Sequence, residues 1–211
     1  MKHVHQLKNA ALLVVALALI GGCNRNNGPI SPKEPATSAD NLSLQKKSDD
    51  HDDDDDGEDE KGAIVAEARI EPTTGNTVNG QVKFVQKKGR VHITAKINGL
   101  TPGKHGFHIH QIGDCGNNGL AAGGHFNPNV APHGSPDGDA EHRHAGDLGN
   151  LEADKHGKAH YNSFDDILEL DGPNSILNRS VIIHANADDL ATQPTGNAGG
   201  RIGCGVIEQI K

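Results

Sequence analysis

From Val91 to Ile97 the chain alternates strictly: Val91, Ile93, Ala95 and Ile97 are apolar, and His92, Thr94 and Lys96 are polar. A repeat of two puts one row of side chains into a core and the other into water, which predicts a half-buried strand. Shorter runs of the same kind predict strands over residues 63–70, 81–86, 106–110, 158–163, 180–185 and 205–210. Turn-forming clusters separate several of them, as in Pro72-Thr73-Thr74-Gly75-Asn76, Lys87-Lys88-Gly89, Asn98-Gly99 and Thr101-Pro102-Gly103. No long stretch repeats at 3.6 residues. Many short strands with Gly-rich connections point to an all-β protein, an antiparallel sandwich or barrel. Two connections, 111–146 and 185–201, are too long for hairpins, and long loops in a compact domain are usually functional.

The N-terminal part has a different pattern. Lys2 and Lys8 lie before or at the start of an apolar run over 10–20, too short to span a bilayer and of the length expected in a signal peptide. The signal is therefore expected to cover 1–22. Gly21-Gly22-Cys23 resembles a bacterial lipobox, in which the cysteine carries lipid, so Cys23 is the expected membrane anchor. Beyond it, Pro29, Pro32, Pro35 and the aspartate-rich run around His51 predict a disordered acidic tether over 23–61. His51 reads as part of that solvated run and not as a metal ligand. With Cys23 used by lipid, Cys115 and Cys204 remain as one pair in an oxidising compartment.

Composition sharpens the picture. With 27 Gly, 2% aromatic residues and no Trp, the core of the 62–211 domain must come from Val, Ile, Leu and Ala. The chain's net charge is −8, and the domain, with 13 basic and 16 acidic residues, carries −3. Nucleic acid is excluded as a partner because no basic stripe is available. Of 14 His, ten lie between His105 and His184, so they mark a region of the chain. His108-Ile109-His110 places two imidazoles on one side of a strand, with Phe107 and Ile109 turned to the core. The following loop adds His125, His133, His142, His144 and Asp147, and a late strand adds His184. Imidazole sets suit copper and zinc, and three His with one carboxylate make a closed tetrahedral zinc site. Two adjacent sites fit this number of ligands better than one.

Five segments carry a family resemblance: Gly106-Phe107-His108-Ile109-His110-Gln111-Ile112-Gly113-Asp114, Gly124-His125-Phe126-Asn127-Pro128, His144-Ala145-Gly146-Asp147-Leu148-Gly149-Asn150, His184-Ala185-Asn186-Ala187-Asp188-Asp189-Leu190, and the stretch from Gly196 to Ile207. In this order the domain resembles the copper–zinc superoxide dismutase family, as a bacterial lipoprotein-type member. The resemblance implies a Greek-key eight-stranded β-barrel, or flattened sandwich, with two long functional loops. It implies copper on His108, His110, His125 and His184, and zinc on His125, His133, His144 and Asp147, with His125 bridging the two. It further implies that Arg201 attracts superoxide, that Asp188 orients a copper and a zinc ligand (His108 and His133), and that Cys115 pairs with Cys204. The implied reaction turns superoxide into dioxygen and hydrogen peroxide. The expected setting is extracytoplasmic, at the bacterial membrane through lipid on Cys23, in periplasm or on the outer surface, as monomer or homodimer.

Some positions depart from the family pattern or fall outside it. His142 competes with His144 for one zinc position, and spacing to Asp147 favours His144. The loop from Asp188 to Arg201 is short and lacks the acidic pair and lysine of animal members, which leaves steering to Arg201. His92, His105, His156 and His160 read as histidines of turns and strand surfaces, and Asp165 and Asp166 as turn residues. A non-enzymatic metal store is the main rival reading. A cupin is the other, and it lacks the glutamate expected after His-x-His.

Overall fold

A computed structural model describes residues 62–211; the expected signal segment, Cys23 and the acidic tether lie outside the described residues. Eight strands follow in order: β1 (Ile64–Pro72), β2 (Asn79–Lys87), β3 (Arg90–Asn98), β4 (Gly103–His110), β5 (Asp147–Ala153), β6 (Ala159–Asp165), β7 (Ser180–His184) and β8 (Arg201–Gln209). All pairings are antiparallel, and they close a barrel in the order β1-β2-β3-β6-β5-β4-β7-β8. β3 and β4 are consecutive in the chain but separated in the sheet, as are β6 and β7. The chain therefore crosses the barrel ends twice, in Greek-key fashion.

The alternation in β3 appears as expected, with Val91, Ile93, Ala95 and Ile97 buried. They meet Phe84, Phe107, Ile109, Leu148, Leu151 and Val181 in one continuous core. The sequence pattern did not signal β5. Asp147, Leu148, Gly149, Leu151 and Ala153 are buried, and only half-buried Asn150 and exposed Glu152 lie between them. The alternation is confined to the last four residues of the strand, too short a run to stand out in the sequence. β4 and β8 also start earlier than expected, at Gly103 and Arg201, where glycine dilutes the apolar signal. A third long connection, 166–179, carries Leu168, Leu170 and Ile176 into the core. None of the candidate ligands lies on it.

The ladder is broken by a register shift at two places. One lies between Gly106 and His108 in the β4–β5 pairing, the other between Ile183 and His184 in β7–β8. A bulge re-aims the side chain beside it, and here the side chains are His108 and His184. The β5–β6 pairing is thin, with only Ala153↔Ala159 in register.

Candidate metal centre

The chain after β4 first folds back on that strand. Phe126 N–H donates to Ile109 O (2.8 Å), Gly146 N–H to Phe126 O (2.9 Å), and Ile109 N–H to Gly146 O (2.9 Å). This brings His125 opposite His110 as an isolated bridge. Gly146 is required, since a Cβ there would lie 2.2 Å from Ile109 O. The disulfide Cys115–Cys204, with Cα atoms 5.7 Å apart, ties the same connection to β8. The pairing inferred from sequence is present.

Seven residues, from β4, β5, β7 and the connection between β4 and β5, meet. His108, His110, His125 and His184 form one group, and His125, His133, His144 and Asp147 form a second; within each, one ligand atom per residue lies within 4.8 Å of all the others. All seven are buried. His125 belongs to both, with ring centroids 4.0 Å from His108 and 5.4 Å from His144.

Each ring is turned by a partner on its far nitrogen. Asp188 holds His108 Nε2 (2.8 Å) with one oxygen and His133 Nε2 (2.9 Å) with the other. His110 Nδ1 lies 2.9 Å from Gly123 O, and His184 Nδ1 lies 3.1 Å from Gly199 O. These contacts assign the tautomers. The opposite nitrogens, His108 Nδ1, His110 Nε2, His125 Nε2 and His184 Nε2, are buried and have no hydrogen-bond partner. Leaving a buried polar atom unsatisfied costs about 1–3 kcal/mol. Four in one place, all lone pairs facing a common point, fit a soft or borderline cation and little else.

The second group closes on a carboxylate. Asp147 Oδ1 lies 2.7 Å from His125 Nδ1, 3.0 Å from His133 Nδ1 and 3.2 Å from His144 Nδ1. The His133 contact lacks hydrogen-bond geometry, so His133 Nδ1 is also unpartnered. Asp147 Oδ2 is held by the N–H groups of Gly134 (3.1 Å) and His144 (2.9 Å). Three imidazoles and one oriented carboxylate make a closed N₃O donor set, which suits zinc.

The electrostatics of the two groups differ. Burial, reinforced by neighbouring imidazoles, lowers His110 to about 2, His184 to about 3 and His125 to about 4. His133 is raised to about 9: burial opposes this, but the carboxylates of Asp147 and Asp188 outweigh it. Asp147 and Asp188 are held well below the usual carboxylate range, against burial, by their histidine partners.

Arg201 opens β8 opposite His184. Its guanidinium donates to Gly119 O and, at 2.6 Å, to Gly123 O, the carbonyl that also holds His110. The arginine is thereby fixed beside the first group. Asn150 spans the backbone of Asp188, accepting its N–H (2.8 Å) and donating to its C=O (2.9 Å). His142 is exposed and pairs with Asp139 at 2.6 Å, outside the cluster, whereas His144 is inside.

One expectation needs correction, and another holds but is incomplete. His105 is not a surface histidine. It is 2% exposed, with Nδ1 2.8 Å from His184 O and Nε2 2.9 Å from Thr101 O, so it braces the backbone of a cluster residue. Its two-residue offset from Phe107 gave the only hint of an inward position. Asp165 does cap a turn, accepting Ile167 and Leu168 N–H at 2.8 Å each, but it is also buried against Arg143 at 2.6 Å. Arg143 in turn donates to His144 O (3.2 Å). An ion pair between residues 22 apart leaves no mark in local sequence.

Comparison with known proteins agrees with this geometry. Residues 78–207 match the family model "Copper/zinc superoxide dismutase (SODC)". An extracellular Cu-Zn superoxide dismutase of Brugia pahangi is 46% identical over 149 residues, covering 66% of this chain and 73% of the relative. Superoxide dismutase [Cu-Zn] 5 of Dictyostelium discoideum is 48% identical over 145 residues, covering 65% and 94%. A crystal structure of the clock protein EA4 superposes with a TM-score of 0.63 at 40% identity, covering 68% of this chain and 93% of that one. With its barrel, its paired histidine groups and a family match over most of the described domain, the chain belongs to the copper/zinc superoxide dismutase family.

Proposed function

We propose that this domain dismutates superoxide to dioxygen and hydrogen peroxide, with copper held by His108, His110, His125 and His184 and zinc by His125, His133, His144 and Asp147. The observation that carries this reading is His125: it presents Nε2 to one buried group and Nδ1 to the other, and the remaining ligand atoms converge on both sides of its ring. When bound, copper supplies the one-electron redox step, and zinc, which has none, holds positive charge on the shared ring. Arg201 fixes a cation where a small anion must dock, which matters on a domain of net charge −3. Whenever copper does not occupy His125 Nε2, that nitrogen would be free to take up a proton and pass it to the reduced product. Asp188, Gly123 O and Gly199 O keep the other rings from turning, so each presents the same nitrogen throughout.

The same reading puts the enzyme outside the cytoplasm, guarding the envelope, on a lipid at Cys23. The Cys115–Cys204 bond and the extracellular relative support the compartment. Metal analysis beside a superoxide assay tests the chemistry. About one copper and one zinc per chain are expected, with activity lost when copper is withdrawn and restored when it is returned. A protein that binds both metals yet never consumes superoxide would be a store, and the proposal would fall.

A further inference from the structure

His133 and His144 of the second cluster stand on chain without regular structure, so something other than a strand ladder must hold them. His133 follows Pro132, which has no N–H, and precedes Gly134, whose N–H is used by Asp147. Both main-chain groups of His133 go to one side chain. Gln193 Oε1 accepts His133 N–H at 2.8 Å, and Gln193 Nε2 donates to His133 O at 2.8 Å. A primary amide has the donor and acceptor of a peptide unit, so Gln193 pairs with His133 as a neighbouring strand would.

The segment carrying Gln193 is itself closed. Asp189 accepts the N–H groups of Ala191 (3.0 Å) and Thr192 (2.7 Å), and Gly196 N–H donates to Thr192 O (2.7 Å). Its two ends also press on the cluster. Asp188 Oδ1 holds His133 Nε2, and at Gly196 (φ +65°) a Cβ would lie 1.8 Å from Asp188 Oδ1 and 2.6 Å from His133 Nε2. The segment meets His133 on its ring and on its backbone at once.

We propose that Gln193 is a positioning residue for the zinc pocket, fixing the His133 main chain so that Nδ1 stays aimed at Asp147, and that segment 188–196 is thereby a wall of that pocket. This rests on reading the His125, His133, His144 and Asp147 group as a zinc site. Occupancy of the pocket and order in the segment are then coupled, each stabilising the other.

The test uses the full chain loaded with both metals and three variants. Gln193→Ala removes the side chain, Gln193→Met keeps its length without hydrogen bonds, and Gln193→Glu keeps the acceptor for His133 N–H but loses the donor to His133 O. The readouts are zinc release to a chromogenic chelator, the visible spectrum of Co²⁺ placed in the zinc pocket, copper retention, and melting of the metal-free chain. Gln193→Ala and Gln193→Met are expected to release zinc about 10-fold faster or more, with an altered Co²⁺ spectrum, unchanged copper retention and unchanged metal-free melting. Gln193→Glu is expected to fall between them and the parent. Parent-like release and spectrum in Gln193→Met would overturn the proposal, as would equal loss of both metals together with lowered metal-free melting. A parent protein that holds no zinc at these residues would instead overturn the reading of the cluster.

Discussion

His108, His110 and His184 stand on β4 and β7, whereas His133 and His144 stand on the connection between β4 and β5, and the two sets are held by different means. The strand-borne set is fixed by sheet register, with Phe107 and Ile109 anchoring β4 in the core, each contributing about 1.5–3 kcal/mol by burial. The connection-borne set is fixed by Asp147, which accepts His144 N–H, by Asp188, which accepts from His133 Nε2, and by Arg143, which donates to His144 O. Their protonation follows the same division. Burial keeps His110 and His184 neutral, but two carboxylates favour a proton on His133. In the strand-borne set the rings are already in the neutral form that a cation requires, whereas His133 would give up a proton on binding one.

The largest effect that separates the two is expected from His108→Ala with His110→Ala. Superoxide turnover should fall to the uncatalysed background while zinc content and melting of the barrel persist, as read by assay, metal analysis and calorimetry. If zinc were lost as readily as copper, the halves would not be independent. Asp147→Asn addresses the other half. It should weaken zinc by about 100-fold or more in a chelator competition, leaving copper bound by three strand residues and His125. Asp188→Ala removes the one carboxylate shared by both. About a 10- to 100-fold loss of zinc affinity is expected, with a smaller loss of copper because His108 remains on its strand.

The smallest effect is a change of pH profile in the metal-free chain. His110, His125 and His184 titrate near 6.5 when unfolded and at about 2, 4 and 3 when folded, so the unfolded state takes up protons first and stability falls as pH drops below about 6.5. His133, raised to about 9, acts in the opposite sense: its contribution is present below about 6.5 and is lost as pH rises through 9. Denaturant titrations of the metal-free chain from about pH 4 to about pH 10 should show stability declining on both sides of neutrality. A profile flat above about pH 7 would deny His133 its distinct role.

The strand-borne half was also the more legible in sequence. His108-Ile109-His110 on an alternating strand can be read from a spacing of two, and His184 closes an apolar run. Choosing His144 over His142 needed the family resemblance, because both lie within reach of Asp147 along the chain. The braces escaped local reading. His105, the Arg143–Asp165 pair and Asn150 act through contacts made only after the connections fold back on the sheet. β5 was missed because its alternation is confined to Asn150, Leu151, Glu152 and Ala153, behind an opening of three buried residues.

Closure of the barrel also bears on how the protein behaves among its own copies. Among the described residues each strand has neighbours on both sides, which leaves no open sheet edge for another chain to extend. The β5–β6 join is the exception in strength, and there Tyr161 hydroxyl donates to Leu148 O at 3.1 Å, while Phe107 of β4 packs on the Tyr161 ring at 5.1 Å and Arg143, ahead of β5, pairs with Asp165 at the end of β6. Resistance to templated self-association thus rests, at that one join, on a few side chains and not on the backbone.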